Sequence, residues 1–195
     1  MGRPCLFIRT TGCNLRCTYC DTEYAFYGGK EIPNDKLLNI VKESGVNLVE
    51  ITGGEPLLQN DLPSFVDLLI QNGFEVLIET AGNMDISKIN PRAVRIMDIK
   101  CPSSAMAKKN DMDNLNRLTS RDEVKFVVWN REDYEWANEI IDRYGLDKKV
   151  SVLFSPVFGE LEPEKLAKWI LADKKNVRMQ LQLHKLIWAP DMQGV

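Results

Sequence analysis

Residues 13–20 read Cys-Asn-Leu-Arg-Cys-Thr-Tyr-Cys, which places Cys13, Cys17 and Cys20 in the spacing C-x3-C-x2-C. Three thiols this close in sequence can bind one inorganic centre, because soft sulfur ligands select iron–sulfur clusters, zinc or copper. A structural zinc site takes four ligands, but no fourth cysteine lies nearby and the only histidine is His184. Three ligands suit a 4Fe-4S cluster with one iron open for a substrate or cofactor. We favour this interpretation over three ordinary thiols or a zinc site completed from a distant residue.

The composition is that of a globular chain. Its 195 residues are enough for one domain with a sizeable core, and 44% of them are hydrophobic and 27% charged. The net charge of -3 argues against a broad nucleic-acid-binding surface. No apolar run approaches membrane-spanning length and the start carries no signal-peptide pattern, so we expect a cytoplasmic protein without a membrane partner. Five cysteines, three of them in one loop, indicate reduced thiols rather than a disulfide framework.

Short apolar runs alternate with helical patterns along the chain, which predicts an α/β domain with a mostly parallel sheet. Six or seven strands with crossovers would form an incomplete (β/α) barrel, because a complete eight-fold barrel takes about 250 residues. The first strand is expected to be buried, and Trp136 is expected to be buried in its helix. The predicted strands are 5–9, 48–52, 74–80, 95–100, 123–129, 150–154 and 177–183, and the predicted helices are 34–44 (capped by Asn34), 61–71, 131–144 and one that opens at Pro163.

In such sheets the chemistry lies at the carboxyl ends of the strands. Most of the unusual residues of this chain fall in segments that follow a predicted strand: 12–22, 52–55, 79–83, 100–104, 155–158 and 184–190. One of these segments contains Gly53-Gly54-Glu55-Pro56, in which glycines let the backbone approach a ligand and Glu55 can accept a hydrogen bond from an ammonium group. Two glycines after a strand usually form a turn, but the cysteine motif upstream favours a functional site.

The segment Gly12-Cys13-Asn14-Leu15-Arg16-Cys17-Thr18-Tyr19-Cys20-Asp21-Thr22 resembles the cluster loop of the radical S-adenosylmethionine (SAM) enzymes. Among them it is most similar to the 7-carboxy-7-deazaguanine synthase family of 7-deazapurine (queuosine and archaeosine) biosynthesis, and the resemblance runs from Gly2 to about Pro190. It implies a fold of the radical SAM type and a carbon–nitrogen lyase that converts 6-carboxy-5,6,7,8-tetrahydropterin into 7-carboxy-7-deazaguanine with loss of ammonia. The implied cofactors are a 4Fe-4S cluster on the three cysteines, SAM and Mg²⁺.

The resemblance also implies which residues bind SAM. Tyr19 occupies the place where the superfamily has an aromatic residue beside the adenine, although the residue type fits packing on the barrel equally well. Gly54 and Glu55 belong to the GGEP segment that binds the amino group of SAM. Two further segments would wrap around SAM, although a proline in such a loop can simply terminate a strand; they are Cys101, Pro102 and Ser103, and Ser155, Pro156, Val157 and Phe158.

The magnesium ligand implied by the resemblance is Thr22, whose Mg²⁺ would also touch the substrate carboxylate. A hydroxyl and the neighbouring Asp21 carboxylate are hard oxygen ligands that suit Mg²⁺, although the residue types alone favour a turn that closes the loop. Arg9 ends the first strand, where a guanidinium can clamp a carboxylate, and the matching arginine of the family holds the pterin substrate.

Three more residues match substrate contacts of the family. Thr52 precedes the two glycines and matches a substrate-contacting threonine. His184 lies in Gln182-Leu183-His184-Lys185, which resembles the family's terminal strand, and we expect it beside the substrate. A lone histidine at a strand end is more often structural, so proton transfer by His184 receives little weight. Pro190 aligns with a residue near the chain end that contacts the substrate.

One departure from the family concerns the start of the chain. The family usually begins with a strand that ends Gln-Gly-Glu-Gly, whose Gln and Glu bind the pterin ring, whereas this sequence starts Met1-Gly2-Arg3-Pro4. We therefore expect residues 1–195 to form a single radical SAM domain that lacks this substrate-binding strand. The absent strand would leave a sheet edge uncovered and weaken substrate binding. The partners implied by the resemblance are a flavodoxin- or ferredoxin-like reductant and a second copy in a homodimer.

Two other functions fit the cysteine motif. Glycyl-radical-enzyme activases share C-x3-C-x2-C and act on a large partner protein, which would acquire a glycyl radical. A non-catalytic zinc-binding interaction domain is the alternative from another class. Zinc without iron or sulfide in anaerobically prepared protein would indicate it.

Overall fold

The computed structural model describes residues 2–193, in which seven parallel strands form one sheet in the order of the sequence. Each strand pairs only with its neighbours along the chain, and the first and last strands are not paired with each other. The sheet is therefore open, as predicted for an incomplete barrel. The strands are β1 Leu6–Thr10, β2 Leu48–Gly53, β3 Glu75–Thr80, β4 Val94–Asp98, β5 Glu123–Val128, β6 Ser151–Pro156 and β7 Arg178–Met179.

Helices and short 3-10 turns connect the strands, because neighbouring parallel strands need a crossover. The α-helices are α1 Asn34–Glu43, α2 Leu62–Gln71, α3 Asn114–Arg117, α4 Arg131–Tyr144, α5 Pro163–Asp173 and α6 His184–Ile187. Helix α4 begins after Asn130, whose side chain accepts a hydrogen bond from the backbone of Asp133, and it ends at Gly145 in a left-handed conformation. None of the helices in residues 2–193 combines the length and apolar character that a membrane crossing requires.

Two apolar clusters form the core. Val49, Leu69 and Ile78 belong to the first cluster, which joins β2 and β3 to α1 and α2. Phe126 and Phe154 belong to the second, which joins β4, β5 and β6 to α4. These clusters fix the strands so that their carboxyl ends, and the segments that follow them, meet along one edge of the sheet.

The two edge strands differ from the sequence prediction. The prediction that the first strand is buried is wrong: β1 alternates between half-buried and exposed residues, and Phe7 is 53% exposed, because β1 pairs only with β2. The last strand is confined to Arg178–Met179, with one further backbone hydrogen bond from Gln180 to Phe154. The chain then leaves the sheet, so His184 begins a short helix rather than following a strand.

Two local predictions are also wrong. Helix α1 is preceded by Pro33 and has no side-chain cap, because Asn34 already lies in its first turn. Trp136 is only partly buried and packs at the margin of the core, with its ring centroid 6.4 Å from that of Phe126.

Candidate active site

The cluster loop follows β1 and the Gly-Gly-Glu-Pro segment begins at the last residue of β2, and these two neighbouring strands end at the same height in the sheet. Thr10 at the end of β1 is the register partner of Gly53 at the end of β2. Beyond that pair, the backbone N–H of Gly54 donates to the Thr10 carbonyl at 3.2 Å, and the N–H of Glu55 donates to the Gly12 carbonyl at 2.8 Å. A Cβ on Gly54 would collide with the Gly12 carbonyl and lie 2.8 Å from Cβ of Cys13. Glycine is therefore required where the two segments touch.

The three cysteines lie on one loop, are half-buried and form no disulfide. The backbone N–H of Cys20 donates to the Cys17 carbonyl at 3.2 Å, which closes a turn between these two ligands. Burial raises the pKa of the Cys17 thiol, the nearby Lys100 ammonium opposes this rise, and Asp98 and the Cys20 and Cys13 thiols add to it. Burial is thus the main reason why the structure favours the protonated thiol at Cys17.

This arrangement suits a cluster better than a single ion. Three thiolates on one zinc would lie about 3.8 Å apart, given Zn–S bonds of about 2.3 Å in tetrahedral geometry. In the part of the chain that the structure describes, no three Cys, His, Asp or Glu side chains are grouped closely enough to hold one ion. The cysteines of a 4Fe-4S cluster each bind a different iron and are spread more widely. Three neighbouring half-buried thiols on one loop suit a cluster in which each thiol binds a different iron.

The cluster loop is attached to the segment that follows β4. The Thr18 backbone donates to the Ser104 carbonyl at 3.2 Å, and the Thr18 hydroxyl donates to the Ser103 carbonyl at 2.5 Å. The backbone N–H of Ser103 in turn donates to Asp133 of α4 at 2.9 Å. Cys101 is fully buried, and its carbonyl accepts from the backbone N–H and the hydroxyl of Ser104 at 3.1 Å and 2.6 Å, while Pro102 and Ser103 remain partly accessible.

Tyr19 reaches across to the end of β5. Its hydroxyl donates to the Val127 carbonyl at 3.2 Å, and its ring lies edge-on to Trp129 at 5.8 Å between centroids. Burial raises the pKa of Tyr19, and the negative charge of Asp98 raises it further. The ring is thus held in a fixed position above the strand ends.

The end of β6 and the residues that follow it are mostly enclosed. Ser155, Pro156 and Val157 are buried, and the Val157 backbone N–H donates to the Val128 carbonyl at 2.9 Å. Phe158 is 46% exposed, so it is the member of this segment whose side chain is open to a ligand.

The prediction that the Glu55 side chain accepts from an ammonium group needs correction. Its carboxylate is fully buried and accepts hydrogen bonds from the Leu57 backbone at 3.0 Å, the Thr80 hydroxyl at 2.8 Å and the Ala81 backbone at 2.7 Å. Burial raises the pKa of Glu55, and these three donors oppose the rise. The carboxylate therefore braces the turn after β2, and contact with a ligand ammonium stays a prediction for the backbone of this segment.

Sequence reasoning missed a set of charged side chains on the inner face of the sheet. Asp98 and Lys125 are register partners on β4 and β5. Lys125 forms an ion pair with Glu79 of β3 and lies 3.9 Å from Asp98, which also accepts a 2.9 Å hydrogen bond from Lys100. The signal was present in the sequence, because Glu79 and Lys125 are charged residues inside apolar strand runs. Which face they occupy depends on the strand register.

A second carboxyl group lies beside this network. Burial and the negative charge of Glu79 raise the pKa of Glu50 on β2 to about 7. The Thr52 hydroxyl, two residues along the same face of β2, donates to Glu79 at 3.4 Å. Arg9 is the register partner of Thr52. The structure thus brings the predicted substrate residues Arg9 and Thr52 together, above the charged inner face.

The remaining predicted residues lie along the open side. The Thr22 hydroxyl is half-buried and 3.8 Å from Sγ of Cys20, so it can offer one hard oxygen next to the cluster loop. His184 is partly buried in α6, and Pro190 is exposed just after that helix. Asp21 links the loop to this terminal part of the chain, because it accepts hydrogen bonds from Gln182 at 2.6 Å and Lys185 at 2.9 Å.

Comparison with known proteins agrees with this architecture. Residues 7–98 match the family model described as the Radical SAM superfamily. The structure resembles SuiB of Streptococcus suis bound to S-adenosylmethionine, with a TM-score of 0.66 at 14% identity, over 98% of this chain and 53% of SuiB. At that identity the likeness concerns the fold alone, and the chain spans about half the length of SuiB. The fold and the site define a radical SAM protein with a three-cysteine cluster loop.

Relatives that match the full length of the chain identify a more specific family within the radical SAM proteins. The chain is 44% identical to a protein of Koribacter versatilis over 100% of its own length and 92% of the relative. It is 43% identical to proteins of Chlorobaculum tepidum and Thermoplasma acidophilum, again over 100% of its length and over 90% and 92% of theirs. All three are named 7-carboxy-7-deazaguanine synthase. The chain belongs to the 7-carboxy-7-deazaguanine synthase family.

Proposed function

We propose that the chain is a radical SAM lyase that converts 6-carboxy-5,6,7,8-tetrahydropterin into 7-carboxy-7-deazaguanine with loss of ammonia. The observation that carries this proposal is the full-length identity of 43–44% to synthases of that name. When bound, the reduced 4Fe-4S cluster and SAM supply a 5′-deoxyadenosyl radical that abstracts a hydrogen atom from the substrate. The residues of this chain bind and orient the cluster, SAM and the substrate.

Cys13, Cys17 and Cys20 hold the cluster in this proposal, with one iron left for SAM. The close contact at Gly54 supports this role, because it brings a run of backbone polar groups next to Cys13. Those groups bind the SAM ammonium, while the buried Glu55 carboxylate keeps the turn rigid. Around SAM we place Tyr19, the segment after β4 and the segment at the end of β6, namely Cys101, Pro102, Ser103, Ser155, Pro156, Val157 and Phe158.

The substrate would lie over the ends of β1 and β2. Arg9 and Thr52 are register partners there, so a guanidinium and a hydroxyl lie on the same face of the sheet. Arg9 binds the substrate in this proposal, and Mg²⁺ on Thr22 binds the substrate carboxylate. His184 and Pro190 close the other side. Beneath them, Lys125 forms an ion pair with Glu79.

Three finer parts of the proposal concern the electron donor, the oligomeric state and the cellular location. The 4Fe-4S cluster would require an electron donor, and a flavodoxin- or ferredoxin-like protein is the class we propose. A homodimer is proposed by analogy with the family. A cytoplasmic location is proposed because the cluster loop needs reduced thiols.

The decisive experiment is anaerobic turnover. Protein reconstituted with iron and sulfide is incubated with SAM, dithionite, Mg²⁺ and the tetrahydropterin, and products are identified by mass spectrometry. The proposal predicts 7-carboxy-7-deazaguanine and no net consumption of SAM. Cleavage of SAM to 5′-deoxyadenosine without a deazaguanine product would refute the substrate assignment. Bound zinc without iron would refute the whole radical SAM assignment.

A further inference from the structure

One carboxylate joins two parts of the chain that are far apart in sequence. Oδ2 of Asp21 accepts a hydrogen bond from Nε2 of Gln182 at 2.6 Å and another from Nζ of Lys185 at 2.9 Å. Asp21 lies between Cys20 and Thr22 in the cluster loop, whereas Gln182 and Lys185 flank His184 near the end of the described chain. The two donors converge on the same oxygen atom.

The burial of Lys185 distinguishes this contact from an ordinary surface ion pair. Only 9% of the Lys185 side chain is exposed, although 43% of the Asp21 side chain is. The Lys185 ammonium also lies 5.1 Å from the centre of the Phe158 ring, on the segment after β6. A half-desolvated ammonium with an aromatic face on one side and a carboxylate on the other has a fixed position. Exposed lysine pairs are, by contrast, mobile and weak.

The chain around these donors has little else to hold it. Strand β7 ends at Met179 and helix α6 spans only His184–Ile187. Leu186, Ile187 and Trp188 are 61%, 63% and 45% exposed, so their side chains contribute little packing. Within the described residues, the side-chain hydrogen bonds that join this terminal segment to the cluster loop are the two accepted by Asp21.

We propose that Asp21 is a positioning residue, which holds the terminal segment 182–190 against the cluster loop through Gln182 and Lys185. The carboxylate touches neither the cluster nor the substrate in this scheme. It sets the distance between the cluster loop and the terminal segment that carries His184 and Pro190. The catalytic consequence rests on the function proposed above, whereas the structural link does not.

The primary test removes the ammonium rather than Asp21, because Asp21 adjoins two proposed metal ligands. Lys185→Met should raise KM for the tetrahydropterin about tenfold and lower kcat less, since a misplaced contact weakens substrate binding first. Iron content and SAM cleavage without substrate should stay at the wild-type level. Lys185→Arg should restore most of the loss. Lys168→Met is the matched control, because Lys168 pairs with Glu164 at 2.6 Å but both side chains are more than two-thirds exposed, at 71% and 80%.

A second measurement does not depend on turnover. Hydrogen exchange of residues 180–193 in the reconstituted holoenzyme should accelerate in Lys185→Met and in Gln182→Leu, and stay unchanged in Lys168→Met. Asp21→Asn should accelerate exchange less in the Lys185→Met background than in the wild type, because only the hydrogen bond from Gln182 is left to weaken. Gln182→Leu keeps the test available if Lys185→Met does not fold.

The outcomes separate this inference from the proposed function. Wild-type exchange and wild-type KM in both Lys185→Met and Gln182→Leu would overturn the positioning role, even in an active synthase. Accelerated exchange in these variants supports the link even if the wild-type protein makes no deazaguanine, in which case only the proposed function fails. Loss of iron in Lys185→Met would also overturn the inference, because it would show a role in holding the cluster.

Discussion

The backbone N–H of Glu55 donates a 2.8 Å hydrogen bond to the carbonyl oxygen of Gly12, and this bond joins the turn after β2 to the start of the cluster loop. It forms because β1 and β2 end at the same level and because Gly54, between them, has no side chain. The buried Glu55 carboxylate stabilises the same turn, because it accepts three hydrogen bonds there. The two motifs most visible in the sequence are thus parts of one structural unit.

Gly54→Ala should therefore damage the cluster site more than the fold. Its Cβ would lie 2.8 Å from Cβ of Cys13, so the loop has to move, at a cost of about 1–3 kcal/mol for overpacking. We expect a lowered iron content after reconstitution, measured by iron and sulfide analysis. Gly73→Ala is the control, because Gly73 has a φ of 87° but open space around it. It should lose about 1–2 kcal/mol of stability from strain and keep its iron. Equal iron content in both variants would contradict this explanation.

Serine in place of Cys13, Cys17 or Cys20 should abolish cluster binding. Loss of a direct ligand should reduce SAM cleavage by more than about 100-fold, since even outer-shell changes at metal sites cost up to that factor. Cys5→Ser is the control, because Cys5 precedes β1 and lies at the opposite end of the strand from the loop. Absorption and paramagnetic resonance spectra of the reduced proteins measure the outcome. A wild-type spectrum in any of the three loop variants would remove that residue from the ligand set.

The buried ion pair of Arg95 and Asp122 should stabilise the fold at neutral pH and lose part of that effect in acid. Their side chains are 4% and 0% exposed, and Nη2 of Arg95 lies 2.6 Å from Oδ2 of Asp122. Asp122→Asn should lower the free energy of unfolding at pH 7 by about 3–5 kcal/mol, because it leaves a buried guanidinium without its partner. Urea unfolding measures this cost.

The pH dependence of that cost follows from the Asp122 pKa. Burial alone would raise this pKa, but hydrogen bonds from Arg95 and the Thr119 backbone outweigh burial and lower it below 3.8. A lowered carboxyl pKa contributes stability that is complete above about pH 4 and is lost as the pH falls further. The difference between wild type and Asp122→Asn should therefore shrink at pH 3. A difference that stays constant would show that the carboxylate charge is not what stabilises the fold.

Ionisation of Glu50 should make the protein less stable at pH 8 than at pH 5. Burial and the Glu79 charge raise the pKa of Glu50 to about 7 from an ordinary value of 4.5. A raised carboxyl pKa means that stability declines as the pH rises between those two values, and the penalty is complete above about pH 7. Glu50→Gln should therefore raise the Tm at pH 8 and change it little at pH 5. Glu43→Gln, at an exposed position, should change neither. A higher Tm for Glu50→Gln at pH 5 alone would contradict the sign.

Much of the site could be predicted because its signals are local. The cysteine spacing, the Gly-Gly-Glu-Pro turn and the apolar strand runs are each contained within a few residues. Parallel strands carry the segments after them to one edge, so the sequence predicted that Cys13, Gly54 and Ser103 would meet. The connections at Gly12 and Thr18 confirm that meeting.

Three of the features that the sequence did not predict share one physical cause. The ion pair of Glu79 and Lys125 depends on strand register, the enclosure of Glu55 depends on donors from β3, and the helix at His184 depends on where the edge strand stops. None of these is encoded in a short window, because each requires two distant segments to be in contact.

The sequence by itself determined the fold class, the cysteine spacing and the family, since these depend on residue types and short periodicities. Only the tertiary structure decided that the Glu55 carboxylate faces inward, that five charged side chains line the inner face, and that Asp21 binds the terminal segment. Those outcomes depend on the burial and pairing of polar groups, and a polar group finds its partner only when the chain has brought the two together.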